Sequence, residues 1–189
     1  MALGIGVPGG YLEHADKRAR LYVRWMGLIF APLHILFIFT DSVIAESYDP
    51  RTYLVRVPMA LGLLIPGLLT FLDRPLPWRQ FLFFHAIVWL TGQTANCYFL
   101  RDMDAALYTV CLVYLAAPFM MLYEPIKFIA LCAANFAFYV LLIEFGLDRS
   151  ILSSAGMSHA APLLGTAVIG SVLAIITWER NLREWNHLA

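Results

Sequence analysis

Apolar runs recur along the chain near 24–45, 54–72, 78–99, 104–122, 126–146 and 159–178. A bilayer core of about 30 Å needs roughly 20 helical residues, so each run predicts one crossing. Between them stand short charged or proline-marked breaks: Ser47-Tyr48-Asp49-Pro50-Arg51, Asp73-Arg74-Pro75-Leu76-Pro77, Arg101-Asp102-Met103-Asp104 and Glu124-Pro125. The connection 148–158 is the one longer loop. Short turns make successive helices antiparallel neighbours. The pattern therefore predicts an all-α fold, six transmembrane helices in an up-down bundle.

Ahead of the first span, residues 11–23 alternate with helical period. Tyr11, Leu12, Ala15, Ala19 and Tyr22 share roughly one side, and Glu13, Asp16, Lys17 and Arg20 much of the other. This predicts a separate amphipathic helix lying at the headgroups. The expected divisions are 1–23 for this segment, 24–178 for the six-helix domain and 179–189 for the start of an outgoing helix.

The third span breaks the apolar pattern. His85, Trp89, Gly92 and Asn96 fall within a narrow arc of one helix face, with Gln93 on its flank. A lipid-facing helix has no use for such a stripe, and polar groups at membrane depth face other helices, a cavity or a ligand.

The sixth pattern runs on past the membrane. Ser171, Ile175, Trp178, Leu182, Trp185 and Ala189 recur at a/d heptad spacing with no Gly or Pro between Trp178 and Ala189. A helix leaving the bilayer with such a seam suits pairing of two protomers, and an output domain is expected to follow it. The alternative is an amphipathic tail on the headgroups. Small residues are spaced for close helix approach on spans five (Ala130 with Ala134, Ala133 with Ala137) and six (Thr166, Gly170, Ala174, and Ala167 with Ser171). Sequence leaves open whether these pack within a protomer or between two.

Composition agrees with a membrane protein: 61% of residues are hydrophobic, 14% charged, and the mean hydropathy is +0.72. A formal net charge of zero gives no reason to expect nucleic acid. The N-terminus lacks a basic region and an apolar core of the kind that makes a cleavable signal peptide. With the N-terminus cytoplasmic, Lys17, Arg18, Arg20, Arg24, Arg74, Arg79, Lys127, Arg180 and Arg183 lie inside, and only Arg51, Arg56, Arg101 and Arg149 lie outside. This obeys the positive-inside rule and places both termini in the cytoplasm, with Trp25, Trp78 and Trp178 as one aromatic belt.

Catalytic patterns are lacking: the chain has no Gly-rich phosphate loop, no HExxH and no supported Ser/His/Asp set, so no enzyme activity is expected in these residues. Cys97, Cys111 and Cys132 lie in apolar runs without metal-knuckle spacing. His34 and His85 sit on different spans, with expected depths differing by about four residues, or roughly 6 Å of rise. Such a pair suggests bis-imidazole ligation of haem b. The alternative is a hydrogen bond across the bundle from each, to Asn135 or Gln93 for example. Asp41 and Arg56 could form an ion pair at the outer mouth of a pocket, or both could reach headgroup water.

Trp25-Met26-Gly27 followed by Pro32, Arg56 opening the second span, and Pro77-Trp78-Arg79 opening the third carry a resemblance to hexahelical input domains of bacterial receptors. The chain resembles in particular the membrane domain of α-hydroxyketone quorum-sensing receptor histidine kinases, and the six-helix anchors of class III adenylate cyclases. In those kinases an aromatic-x-x-small pair on span four is implicated in autoinducer binding. Tyr108-x-x-Cys111 occupies the similar place here, with Tyr and Cys where the family has Trp and Ser, so the ligand itself does not carry over. The resemblance implies a multi-pass protein of the bacterial inner membrane that acts as input and dimerisation domain of a cyclase or kinase. Its expected ligand is a small apolar molecule or a bound cofactor, and its expected partners are lipid and a second copy through the sixth helix. The expected binding residues are His34, His85, Trp89, Gln93, Asn96, Tyr108, Cys111 and Asn135. A haem b sensor or small cytochrome using His34 and His85, and a passive anchor, are the alternatives.

Overall fold

The computed structural model describes residues 10–44, 52–72, 74–100, 103–120, 125–146 and 150–188. The described residues form an all-α bundle without strands. Its helices are α1 (Tyr11–Ile44), α2 (Tyr53–Leu69), α3 (Trp78–Leu100), α4 (Met103–Met120), α5 (Pro125–Leu141) and α6 (Ser154–Leu188). A π-helical stretch, Leu142–Gly146, prolongs α5. The turns holding Glu46, Arg51, Arg101, Asp102 and Arg149, and the side chains of Asp41, Cys97 and Tyr108, lie outside the described residues.

Three helices are long and apolar enough to cross a membrane: α1 over Tyr11–Phe39, α5 with its extension over Pro125–Gly146, and α6 over Gly156–His187. That is three among the described residues, not the six expected. At 17 residues, α2 rises only about 26 Å, short of a full hydrocarbon core. In α3, His85, Gln93, Thr94 and Asn96 lower the hydropathy of an otherwise sufficient length.

α1 packs most extensively on α2, and α4 on α6, while α3 touches α1, α2, α4 and α5. The helix with the polar stripe is thus the central one. Where α1 crosses α2, two glycines meet. A Cβ on Gly27 would lie 2.7 Å from the Gly67 Cα and 2.7 Å from the Leu63 carbonyl oxygen. Ala31 and Ala60 are buried in the same region. A second close approach sets α6 on α4, because a Cβ on Gly170 would collide with the Tyr114 carbonyl. The small residues of span six therefore pack within the protomer, with Ala167, Gly170 and Ala174 buried. Those of span five, Ala130, Ala133, Ala134 and Ala137, are exposed.

The expected break between an interfacial helix and the first span does not exist. Nothing between Tyr11 and Ala31 interrupts the hydrogen-bond ladder, and α1 continues through Pro32 for 34 residues. Of the apolar side of residues 11–23, Leu12 is exposed, but most of the rest turns into the protein. Tyr11, Ala15, Ala19 and Val23 are buried in one core cluster with Trp78 and Leu182, against which Trp178 and Trp185 pack. Trp78 is buried and so is no member of an exposed belt, whereas Trp25 is exposed.

The polar side of α1 also finds partners. Arg20 donates from Nε and Nη2 to the Thr70 carbonyl (3.0 and 2.7 Å) and from Nη2 to Leu72 (2.8 Å). Arg24 donates to the Thr70 hydroxyl at 3.1 Å. Two cations thus satisfy carbonyls at the negative end of α2. Asp16 accepts from the Arg79 amide at 3.1 Å, tying α1 to the start of α3. At the other end of the bundle α6 begins earlier than its apolar run suggests. Ser153 caps it, its Oγ accepting from the Gly156 amide at 3.0 Å.

Candidate functional site

Gln93 and Thr94 are neighbours on α3, and a helix turns about 100° per residue, so they serve different sides of the bundle. Gln93 faces α1 and α2. Its Oε1 accepts from Arg56 Nη1 at 3.3 Å, and the same Nη1 lies 3.3 Å from His34 Nδ1. A guanidinium only donates, so His34 Nδ1 accepts, and the imidazole is the neutral tautomer with its proton on Nε2. The guanidinium also stands over the Phe37 ring, 5.3 Å from its centroid. Arg56 is 5% exposed. Burying a cation this deeply is costly unless it is well engaged, and a hydrogen-bonded, aromatic-lined seat reduces that cost.

Thr94 faces α5. Tyr114 donates its hydroxyl to Asn135 Oδ1 at 2.6 Å, and Asn135 Nδ2 donates to Thr94 Oγ1 at 3.0 Å. The two chains together join α1, α2, α3, α4 and α5 at one depth.

Around these chains lie buried polar atoms with no hydrogen-bond partner. They include Trp89 Nε1, Asn96 Oδ1 and both ring nitrogens of His85. Each such atom costs about 1–3 kcal/mol. All three residues are on the stripe expected from the sequence. Among the described residues, the stripe is filled from α1 and α2. Phe30 packs on Trp89 with centroids 4.5 Å apart, and His34 meets the same indole edge-on at 5.8 Å. The thioether of Met59 on α2 fills the notch at Gly92, where any Cβ would collide with it.

Of the expected binding residues, His34, Trp89 and Gln93 come together, and Asn135 joins α3 through Thr94 rather than through a histidine. Asn96 is fully buried on the same face of α3. Cys111 is only partly buried on α4. The position of Tyr108 on α4 is described, but its side chain is not. The Asp41 side chain of the expected ion pair is likewise outside the described residues. What sequence reasoning missed is that Arg56 turns inward to the stripe, and that Thr94 and Tyr114 complete a second chain. For Arg56 the signal was present: an arginine inside an apolar run, one turn after a helix start.

His34 and His85 have different neighbours in this packing. His34 meets the Trp89 ring and, through Arg56, Gln93, which lie one and about two helical turns along α3 from His85. Axial ligands must converge on one atom, but here the Trp89 ring packs on His34. His85 meets instead the Leu63 carbonyl of α2 without hydrogen-bond geometry. Among the described residues no group of three or more His, Cys, Asp or Glu is placed to hold a metal ion.

Compared with known proteins, the chain matches no protein-family model, no curated protein and no solved structure.

Proposed function

We propose that this chain is the membrane-embedded input and dimerisation domain of a bacterial signalling receptor, a nucleotide cyclase or histidine kinase. It crosses the inner membrane six times with both termini cytoplasmic. The fold agrees with an even number of crossings, since Tyr11 and Trp185 touch at one end of the bundle. The ligand is a small, mostly apolar molecule carrying a hydrogen-bonding group, and its site is the face of α3 between Trp89 and Asn96.

The observation that carries this reading is the buried, unpartnered pair of Trp89 Nε1 and Asn96 Oδ1, a donor and an acceptor two turns apart. Between them lies the Gly92 notch, plugged by Met59. Methionine is flexible and polarisable, so it can leave such a notch without breaking a hydrogen bond. A ligand that replaced it would gain two polar contacts and would bias how α2 sits on α3. It shifts the equilibrium only by its difference in affinity for the two packings.

The test is the stimulus-dependent output of the receptor that carries this domain. Asn96→Leu and Gln93→Leu should change that output while leaving assembly and membrane insertion intact. If both variants signal as the parent does, the stripe serves packing alone and the domain is a passive anchor.

A further inference from the structure

The heptad seam of α6 does not stand free. Trp178, Leu182 and Trp185 are its members beyond the apolar core, and the start of α1 in the same chain meets the two indoles. The Tyr11 ring meets Trp178 edge-on at 5.6 Å and Trp185 at 6.0 Å. The His14 ring is 5.2 Å from Trp185. Gly10, with φ of 79°, turns the chain so that its backbone lies under the Trp185 ring, whose Cζ2 would be 3.4 Å from a Cβ there. Ala15 and Ala19, on the same face of α1, are both 0% exposed in the core cluster against which the indoles pack.

The charges of this segment avoid the seam. Glu179 pairs with Arg183 at 3.1 Å and Arg180 with Glu184 at 3.5 Å, none of them at a seam position. Trp178, Leu182 and Trp185 thus form an apolar stripe with a/d spacing, whose natural partner is another such stripe. The present occupant fits it incompletely: Tyr11 Oη and Trp185 Nε1 are buried there without hydrogen-bond partners. Opening the contact would hydrate both.

We infer that residues 10–19 are an intrachain latch on the α6 seam, and that the seam's other occupant is the same seam of a second copy. The two occupants exclude each other, since both need the face of Trp178, Leu182 and Trp185. α1 is one unbroken helix from this latch to His34, about 35 Å away. A change in packing at the Arg56–His34–Gln93 cluster therefore reaches the latch as a movement of a single rod. That seam pairing carries a signal rests on the receptor reading above; the latch itself does not.

The experiment reads seam pairing directly. Ile175 belongs to the seam but is 41% exposed, outside the latch. Ile175→Cys, in the full chain with its three native cysteines replaced by alanine, reports pairing as an interchain disulfide after mild oxidation in lipid bilayers. Tyr11→Ala should raise the cross-linked fraction at least threefold. His14→Ala, which removes one ring contact from an exposed position, should raise it by a smaller factor and cannot plausibly unfold the bundle. Adding Leu182→Lys to Tyr11→Ala should return cross-linking to the parent value or below. Unchanged cross-linking in both latch variants overturns the proposal, as does cross-linking that survives Leu182→Lys. The assay needs neither ligand nor output module, so its outcome is independent of the signalling test on Asn96 and Gln93.

Discussion

Replacing Gly27 with alanine adds one methyl group where α1 crosses α2. That methyl would sit 2.7 Å from the Gly67 Cα and 2.7 Å from the Leu63 carbonyl oxygen, both backbone atoms that no rotamer change can move. Ordinary non-bonded carbon contacts are about 3.5–4.0 Å, so the helices must part by roughly 1 Å. A gap of that size forfeits about a quarter to a half of each dispersion contact along the crossing. Overpacking of this kind typically costs about 1–3 kcal/mol. Because α1 and α2 share the most extensive helix contact in the chain, we expect the upper part of that range. For a protein of this size the Tm should fall by roughly 4–12 °C. The assay is thermal unfolding in lipid nanodiscs, compared with Gly165→Ala, where nothing lies within 4 Å of the added methyl. The control should change stability by less than about 0.5 kcal/mol. Gly67→Ala meets the Gly27 Cα at 2.9 Å and should behave like Gly27→Ala, and the double variant should cost less than the two combined. If Gly27→Ala proves as stable as Gly165→Ala, the crossing described here is wrong.

Asn135→Ala leaves the Tyr114 and Thr94 hydroxyls without the amide that joins them, so it should cost about 2–4 kcal/mol, whereas Tyr114→Phe removes one donor and should cost about 1 kcal/mol. Denaturation in mixed micelles would rank them, and equal losses would mean the chain is not a unit. Arg20→Ala withdraws three hydrogen bonds from the end of α2. Amide exchange over 67–72 should then rise at least several-fold while Thr91–Asn96 stay protected. A visible spectrum of protein expressed with ample haem should show no Soret band, because the Trp89 ring packs on His34 where an iron would have to reach it. A band lost on replacing either histidine would show that the helices repack around a haem.

Hydrophobic periodicity was sufficient to place α2, α3, α4 and α5 within a few residues, because a helix in an apolar setting needs a continuous run of apolar side chains and the breaks between runs carry proline or charge; it split α1 in two at residue 23. It also sufficed to pick out His85, Trp89, Gln93 and Asn96, since four polar groups on one arc of an apolar helix are conspicuous whatever surrounds them. All four proved to be wholly or largely buried. Continuity of α6 past Trp178 was equally legible, as nothing in 178–189 can stop a helix.

What periodicity cannot express is which face meets which. The stripe of Tyr11, Ala15 and Ala19 reads the same whether it rests on headgroups or on two tryptophans, because both are apolar neighbours. Only the packing of α1 on α6 decided for the tryptophans. The depth of His34 relative to His85 depends on where one helix is anchored against another, here by Asp16 on Arg79, Arg20 above Trp78 and Gly27 on Gly67. Those contacts are separated in sequence by 40 to 63 positions and leave no local trace. So the chain's residues determined a helical membrane protein with a polar stripe. Tertiary structure alone set that stripe in the middle of the bundle, turned Arg56 toward it, and laid the first helix across the last.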